Sequence, residues 1–273
     1  MRDAVAHARR VFDIELNAVT DNPLVFPDRE ARHVEEQVIS AGHFHGMPLA
    51  LAMSAVKAAI PVLASISERR LNKLVDPATS DGLPAFLIGN EDGTESGYMI
   101  VQYTAAAIVN DLATRAHPAS VYSIPTSANA EDHVSMGTNE ARHVLSMVDD
   151  LGKVLALELY TAAQALDLRL DMINAARDLA RRSDAAGFAR KIRGADDDSP
   201  LHAAFLDEVE ALRAELAGAE PFHPGAAVAR AHALIRSRIP FLDRDRALDG
   251  EVAAAVALVA DGSVLAAVAG EGG

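Results

Sequence analysis

The sequence predicts an all-α protein built around long helices. Three observations point there. Half of the 273 residues are hydrophobic, yet only 4% are aromatic and none is Trp, so the core must be assembled from Ala, Leu and Val, which suits close helix packing. Two stretches, about 47–74 and about 138–182, hold helical periodicity far longer than a surface helix needs. No segment shows the alternating pattern of a half-buried strand.

The first helix is expected over 1–19, where Val5, Ala8, Phe12, Leu16 and Val19 recur at helical spacing until Asp21-Asn22-Pro23 breaks the run. Residues 20–45 read as irregular. The helix from about Met47 to Leu74 has Pro48 near its start and Pro61 as an expected kink. A loop over 75–96 leads to a third helix from about Gly97 to Arg115, which stops before Pro118. The polar segment from Pro118 to Gly137 precedes the longest helix. There Val144, Val148, Leu151, Leu155, Leu159, Ala162 and Leu166 form a seam expected to face the core. Residues 183–200 read as a charged linker, followed by helices near 201–217, 225–238 and 248–268. This organisation divides the chain into a central long-helix region with active-site loops (1–182) and a C-terminal helical region (183–273). The helices near 47–74 and 139–170 are apolar on more than one face, which favours packing across subunits, although one central helix per monomer accounts for the pattern too.

The formal net charge of −14 argues against nucleic acid and anionic membrane surfaces as partners, because both require a basic footprint. The absence of Cys rules out disulfides, thiolate metal sites and Cys nucleophiles. The N-terminal MRDAVAHARRVFDIEL has no apolar signal core, and no charge-free apolar run reaches roughly 18 residues, so a cytoplasmic protein without a membrane span is expected.

Familiar catalytic motifs are missing. Gly93-Thr94-Glu95-Ser96-Gly97 sets its Ser one place too late for a nucleophile elbow. His43-x-His45 offers two imidazoles without a third ligand, so no metal site is read there. The loop Gly42-His43-Phe44-His45-Gly46 lies at the expected start of a helix. Its Phe44 either plugs the core or stacks on a flat substrate, its glycines allowing tight backbone turns. Glu131, Asp132 and His133 precede the longest helix. They either complement its dipole or supply a base or an amine-binding group to a pocket.

A set of motifs runs in order along nearly the whole chain. They are Glu15-Leu16-Asn17-Ala18 with Thr20-Asp21-Asn22-Pro23, Gly42-His43-Phe44-His45-Gly46, Ser67-Glu68-Arg69-Arg70, and Gly82-Leu83-Pro84-Ala85-Phe86-Leu87. Ala116-His117-Pro118-Ala119-Ser120-Val121, Ser123-Ile124-Pro125-Thr126-Ser127-Ala128-Asn129, Glu131-Asp132-His133-Val134-Ser135-Met136-Gly137 and Ile239-Pro240-Phe241-Leu242-Asp243-Arg244-Asp245-Arg246 follow. Together they resemble the C-terminal half of histidine ammonia-lyase and of the aromatic amino-acid ammonia-lyases and aminomutases. The Gly-Ser-x-x-Met-Pro-x-Lys signature of fumarase-type relatives is absent.

The resemblance implies a long-helix bundle of the ammonia-lyase type, within the fumarase/aspartase-like superfamily, assembling by cross-subunit helix packing around a tetrameric core. It implies a carbon–nitrogen lyase that eliminates ammonia to leave an α,β-unsaturated acid. The electrophile is methylidene-imidazolone (MIO), which forms from Ala-Ser-Gly. The chain contains no Ala-Ser-Gly, so the MIO is expected on a partner chain, an N-terminal ammonia-lyase subunit, in a hetero-oligomer. By resemblance Glu131 is the catalytic acidic residue, and Phe44, Met99, Tyr103 and His43 line the substrate site. The sequence departs from the family at His43, where Asn is usual, at Ala130, where Gln is usual, and at Glu95-Ser96-Gly97-Tyr98-Met99, where Asn-Ser-Gly-Phe-Met is usual. Glu131 and His133 favour histidine as substrate. An aromatic amino-acid 2,3-aminomutase subunit, a non-catalytic scaffolding paralogue and a truncated fragment stand as alternatives.

Overall fold

The computed structural model describes residues 1–28, 30–89, 93–193 and 203–270. Among them the chain is mostly helical: α1 (Arg2–Glu15), α2 (Met47–Val75), α3 (Met99–Arg115), α4 (Gly137–Arg182), α5 (Ala185–Arg193), α6 (Ala203–Gly218), α7 (Ala226–Arg238), α8 (Asp249–Ala260) and α9 (Ser263–Ala269). The fold class and the long α2 and α4 agree with the sequence reading. Pro61 lies inside α2 without ending it.

Three local expectations are corrected. Residues 24–39 contain a two-residue antiparallel pair, β1 (Leu24–Val25) and β2 (Val38–Ile39), with Leu24 opposite Ile39 and Val25 opposite Val38. Strands of two residues are too short to leave an alternating pattern. The first part of the expected linker is helical, because Phe188 and Ala189 of α5 bury against Ala180 and Val209, and that packing outweighs the charged composition. The rest of that linker, 194–200, lies outside the described residues. Finally, the helix expected over 248–268 is two, α8 and α9, bent by 60° across Asp261-Gly262, where Gly262 adopts φ 75°.

Contacts divide the chain into two compact units, one of residues 1–72 and 100–158, the other of 73–99 and 159–273.

In the first unit the core is formed by Ala8, Ala52, Val56, Ile60, Ala64, Leu112, Met147, Leu151 and Val154, drawn from α1, α2, α3 and α4. Three alanines in that set let helix backbones approach closely. Of the expected seam of α4, Leu151 is buried and Val144 and Leu155 pack against the core, but Val148 does not belong to it. Val148 is 47% exposed, whereas Met147, Leu151 and Val154 are buried. Helix α2 is long and apolar enough to cross a membrane by length and composition alone. It instead carries a fully buried lysine, Lys57, paired with Glu140 of α4, and supplies four residues to the core.

In the second unit Gln164 of α4 acts as a hub. Its Nε2 donates to the Leu87 and Leu242 carbonyls at 3.1 and 2.9 Å, and its Oε1 accepts from the Leu242 N–H and from Arg236, both at 3.1 Å. Every hydrogen-bonding position on this buried amide is used. The Asp245 carboxylate accepts from the N–H groups of Ser96 and Gly97, each at 2.7 Å. Gly97 sits at φ 50°, and a Cβ there would lie 2.6 Å from the Phe86 carbonyl oxygen, so only glycine fits. Tyr98 and Tyr160 meet with ring centroids 4.7 Å apart.

Candidate active site

Two loops of the first unit come together where α2 and α4 begin. One is residues 42–46, entering α2. The other is residues 126–136, entering α4. The second loop folds back on itself: Thr126 and Glu131 form an isolated antiparallel bridge, with the Thr126 N–H donating to the Glu131 carbonyl at 3.0 Å and the Glu131 N–H returning to Thr126 at 3.3 Å. The turn between them places Ser127, Ala128 and Asn129 at φ of 50°, 52° and 71°. Such left-handed residues cost about 1–2 kcal/mol each when they carry a Cβ, although Asn tolerates it better. The Thr126 hydroxyl donates to the Glu131 carboxylate and fixes its direction.

The glycines of the first loop do a different job from the one the sequence predicts. Neither Gly42 nor Gly46 has a left-handed backbone. Gly46 instead eases a close approach, since a Cβ there would lie 3.2 Å from the Ser135 Oγ and that side chain would have to shift by a few tenths of an ångström. The two loops thus touch almost backbone to side chain.

Phe44 and Glu131 line one hollow of about 280 Å³, together with His45, Gly46 and residues 130 to 135. Phe44 is 49% exposed and does not plug the core. Its ring also borders a larger hollow of about 520 Å³ lined by Phe12, Leu49, Met53 and residues 134 to 139. An exposed aromatic ring and an exposed carboxylate beside the same hollow can hold a flat, cationic or hydrogen-bond-donating ligand.

The other expected site residues are placed elsewhere. His43 is exposed and lines neither hollow. Tyr103, on α3, is 59% exposed and lines neither hollow. Met99 is half-buried at the start of α3, within the segment belonging to the second unit. Among the described residues no group of three His, Asp or Glu side chains has the arrangement of a metal site.

Two features of the site escape a reading by motif. The first is His45. The Met47 N–H donates to its Nδ1 at 3.3 Å, so Nδ1 is unprotonated and Nε2 carries the hydrogen. That Nε2–H donates to the His133 carbonyl at 2.8 Å, and the His45 and His133 rings stack with centroids 5.5 Å apart.

The second is a buried polar cluster beneath the loop that leads to Glu131. Glu140, in the first turn of α4, accepts from the Ser54 hydroxyl at 2.9 Å, the Ser120 N–H at 3.0 Å and Lys57 Nζ at 3.0 Å. Lys57 Nζ also donates to His143 Nδ1 at 2.9 Å. Burial alone would raise the Glu140 pKa, but the hydrogen bonds from Ser120, Lys57 and Ser54 and the lysine charge outweigh it, and the carboxyl is held below its ordinary value. Burial, reinforced by the Lys57 charge, pushes the His143 imidazole down. A signal existed in the sequence: Lys57 is the sole charge between Met47 and Ile66, and a lone charge on an apolar helix implies a buried partner.

The chain matches the family model for aromatic amino acid lyases over residues 1–187. It is 55% identical to the histidine ammonia-lyase of Treponema denticola over 167 residues, covering 61% of this chain and 32% of that protein. It is 39% identical to the histidine ammonia-lyase of Myxococcus xanthus over 267 residues, covering 98% of this chain and 41% of that protein. Among solved structures it superposes on histidine ammonia-lyase from Trypanosoma cruzi with a TM-score of 0.72 and 30% identity, covering 98% of this chain and 41% of that one. The chain therefore spans about a third to two-fifths of the length of the curated relatives it matches. With more than half of its residues matched by that family model, this chain belongs to the aromatic amino acid lyase family.

Proposed function

We propose that the chain forms the C-terminal helical part of a cytoplasmic, MIO-dependent aromatic amino-acid ammonia-lyase, with histidine as the favoured substrate and the MIO supplied by a partner chain within a hetero-oligomer on a tetrameric core. The observation that carries this reading is the placement of Phe44 and Glu131 on one hollow in a chain of this family. When present, the MIO supplies an electrophilic carbon that activates the amino group for departure. The residues here fit that group as its neighbours and not as its source. They open onto a hollow, and the sequence contains no Ala-Ser-Gly.

Within this reading the Phe44 ring stacks on the substrate's flat side chain. The Glu131 carboxylate, steered by the Thr126 hydroxyl, accepts a hydrogen bond from the substrate's amine or imidazole and can take up a proton there. Histidine suits this pair better than phenylalanine, since an imidazole offers both a flat face and an N–H.

The test is co-purification of the chain from its native host, followed by intact-mass analysis of what accompanies it. A partner containing Ala-Ser-Gly, lighter than its sequence by two waters, supports the reading. The complex should then release ammonia and an unsaturated acid from L-histidine. Glu131→Gln should lower kcat/KM by about 10²–10⁴-fold with assembly intact. Recovery of the chain without such a partner overturns the partner-chain assignment, and a β-amino acid product would make the enzyme an aminomutase.

A further inference from the structure

We propose that His45 is a positioning residue that holds the Phe44 loop and the Glu131 loop in register through a single neutral tautomer. The inference rests on the lyase reading above for its catalytic consequence, but its geometry stands independently.

Among the described residues, His45 is the one side chain of the 42–46 loop whose hydrogen bonds reach both the start of α2 and the loop bearing Glu131. On its own side, Nδ1 receives the Met47 N–H, one of the first N–H groups of α2, which has no partner within the helix. On the other, Nε2–H is spent on the His133 carbonyl, two residues beyond Glu131. The second acceptor within reach, His133 Nδ1, lies at 3.5 Å, and the stacked rings keep the two planes within 19°. The far end of the same loop is fastened separately, by the Val134 N–H donating to Ser123 Oγ at 2.7 Å.

Phe44 and Glu131 belong to segments 87 residues apart in sequence, and the loop bearing Glu131 contains three consecutive left-handed residues. Such a turn holds its shape only where its surroundings over-determine it. Among the described residues no hydrogen bond or ring contact joins Phe44 to Glu131 directly, so their shared hollow depends on the links between the loops. The His45–His133 bond is the hydrogen bond among them, and the close approach of Gly46 to Ser135 is the steric one. A ring that accepts on one nitrogen and donates from the other orients both segments at once, which neither a pure donor nor a pure acceptor does.

The two nitrogens can be separated by substitution. His45→Gln places an amide N–H near the Nε2 position and keeps the link to His133. His45→Asn reaches only the Nδ1 position and keeps the helix-entry bond alone. Both are neutral, and each retains part of the original bonding.

The experiment compares the two variants with wild type in two ways. Hydrogen exchange on the full 273-residue chain follows amides of residues 130–135. Turnover of L-histidine is measured on the chain assembled with its MIO-bearing partner. The expected result is slow exchange in wild type and His45→Gln, and fast exchange in His45→Asn. In turnover, kcat/KM should stay within about threefold for Gln and fall by about 10²-fold for Asn, the loss that a displacement of about 1 Å brings. Equal exchange in the two variants overturns the inference whatever the turnover. If exchange separates the variants while no preparation turns over any aromatic amino acid, the positioning geometry stands and the lyase reading fails.

Discussion

Each unit of the molecule buries a polar cluster, and the two solve the same problem in opposite ways. In the first unit Lys57 and Glu140 are both fully buried and both charged, with Ser54, Ser120 and His143 completing their hydrogen bonds. In the second, Tyr160 donates to Glu251, whose other oxygen is held by Arg246 at 2.7 Å. Burial pushes the Tyr98 phenol up to about 12, and burial together with neighbouring Tyr98 and Glu251 raises Tyr160 further, so both rings remain neutral. Charge placed in the interior is tolerable when every bond is made, and costly once one partner leaves. A neutral phenol loses only a hydrogen bond. The first cluster is therefore brittle and acid-sensitive, and the second is robust.

The comparison is broken most directly at Lys57. Lys57→Met leaves Glu140 buried without its counter-charge and should cost about 3–5 kcal/mol in chemical denaturation, whereas the double variant Lys57→Met/Glu140→Leu should recover most of that loss. If the double variant is no better than the single, the pair is not acting as a pair. Tyr160→Phe in the second unit should cost less, about 1.5–3 kcal/mol, since it removes one hydrogen bond to a carboxylate that keeps Arg246. A loss as large as that of Lys57→Met would erase the contrast between the clusters.

The smallest and most graded effect is with pH. Glu140 and His143 both have folded-state values below their ordinary 4.5 and 6.5. A depressed value means the unfolded chain binds the proton more readily, so the stabilisation is complete above about pH 6.5 and is lost as pH falls. His143 should contribute its part just below that point, and Glu140 its part below pH 4.5. Denaturation midpoints measured from pH 7 down to pH 3 should fall in wild type and fall less in the double variant. Parallel profiles would assign the acid sensitivity to other groups.

The parts legible in the sequence were those carried by long patterns or dense motifs. Helices α2 and α4 follow from periodicity, and Phe44 and Glu131 from the motifs around them. What stayed hidden depends on contacts between distant residues. Which nitrogen of His45 is protonated is decided by Met47 on one side and His133 on the other. Glu140 belongs to none of the quoted motifs, and its importance shows only once Lys57 and Ser120, distant in sequence, are seen around it. On α4 the periodicity marks Leu151, Val144 and Leu155 as core-facing, but Val148 is exposed and Met147 and Val154 are buried beside them, because the buried face is set by the helices packed on it. The α5 helix was missed because its apolar residues find partners in α6, beyond the reach of a local window.

The run of left-handed residues at 127–129 restricts what drift or directed evolution can do beside the hollow. A β-branched residue is stiff at χ1 and ill suited to φ near 50°. The usable alphabet at Ser127, Ala128 and Asn129 therefore contracts toward Gly, Asn, Asp and small residues, while Ala130, which lines the hollow just after that run, carries no such constraint. New specificities should accumulate at position 130 well before they appear at its three predecessors.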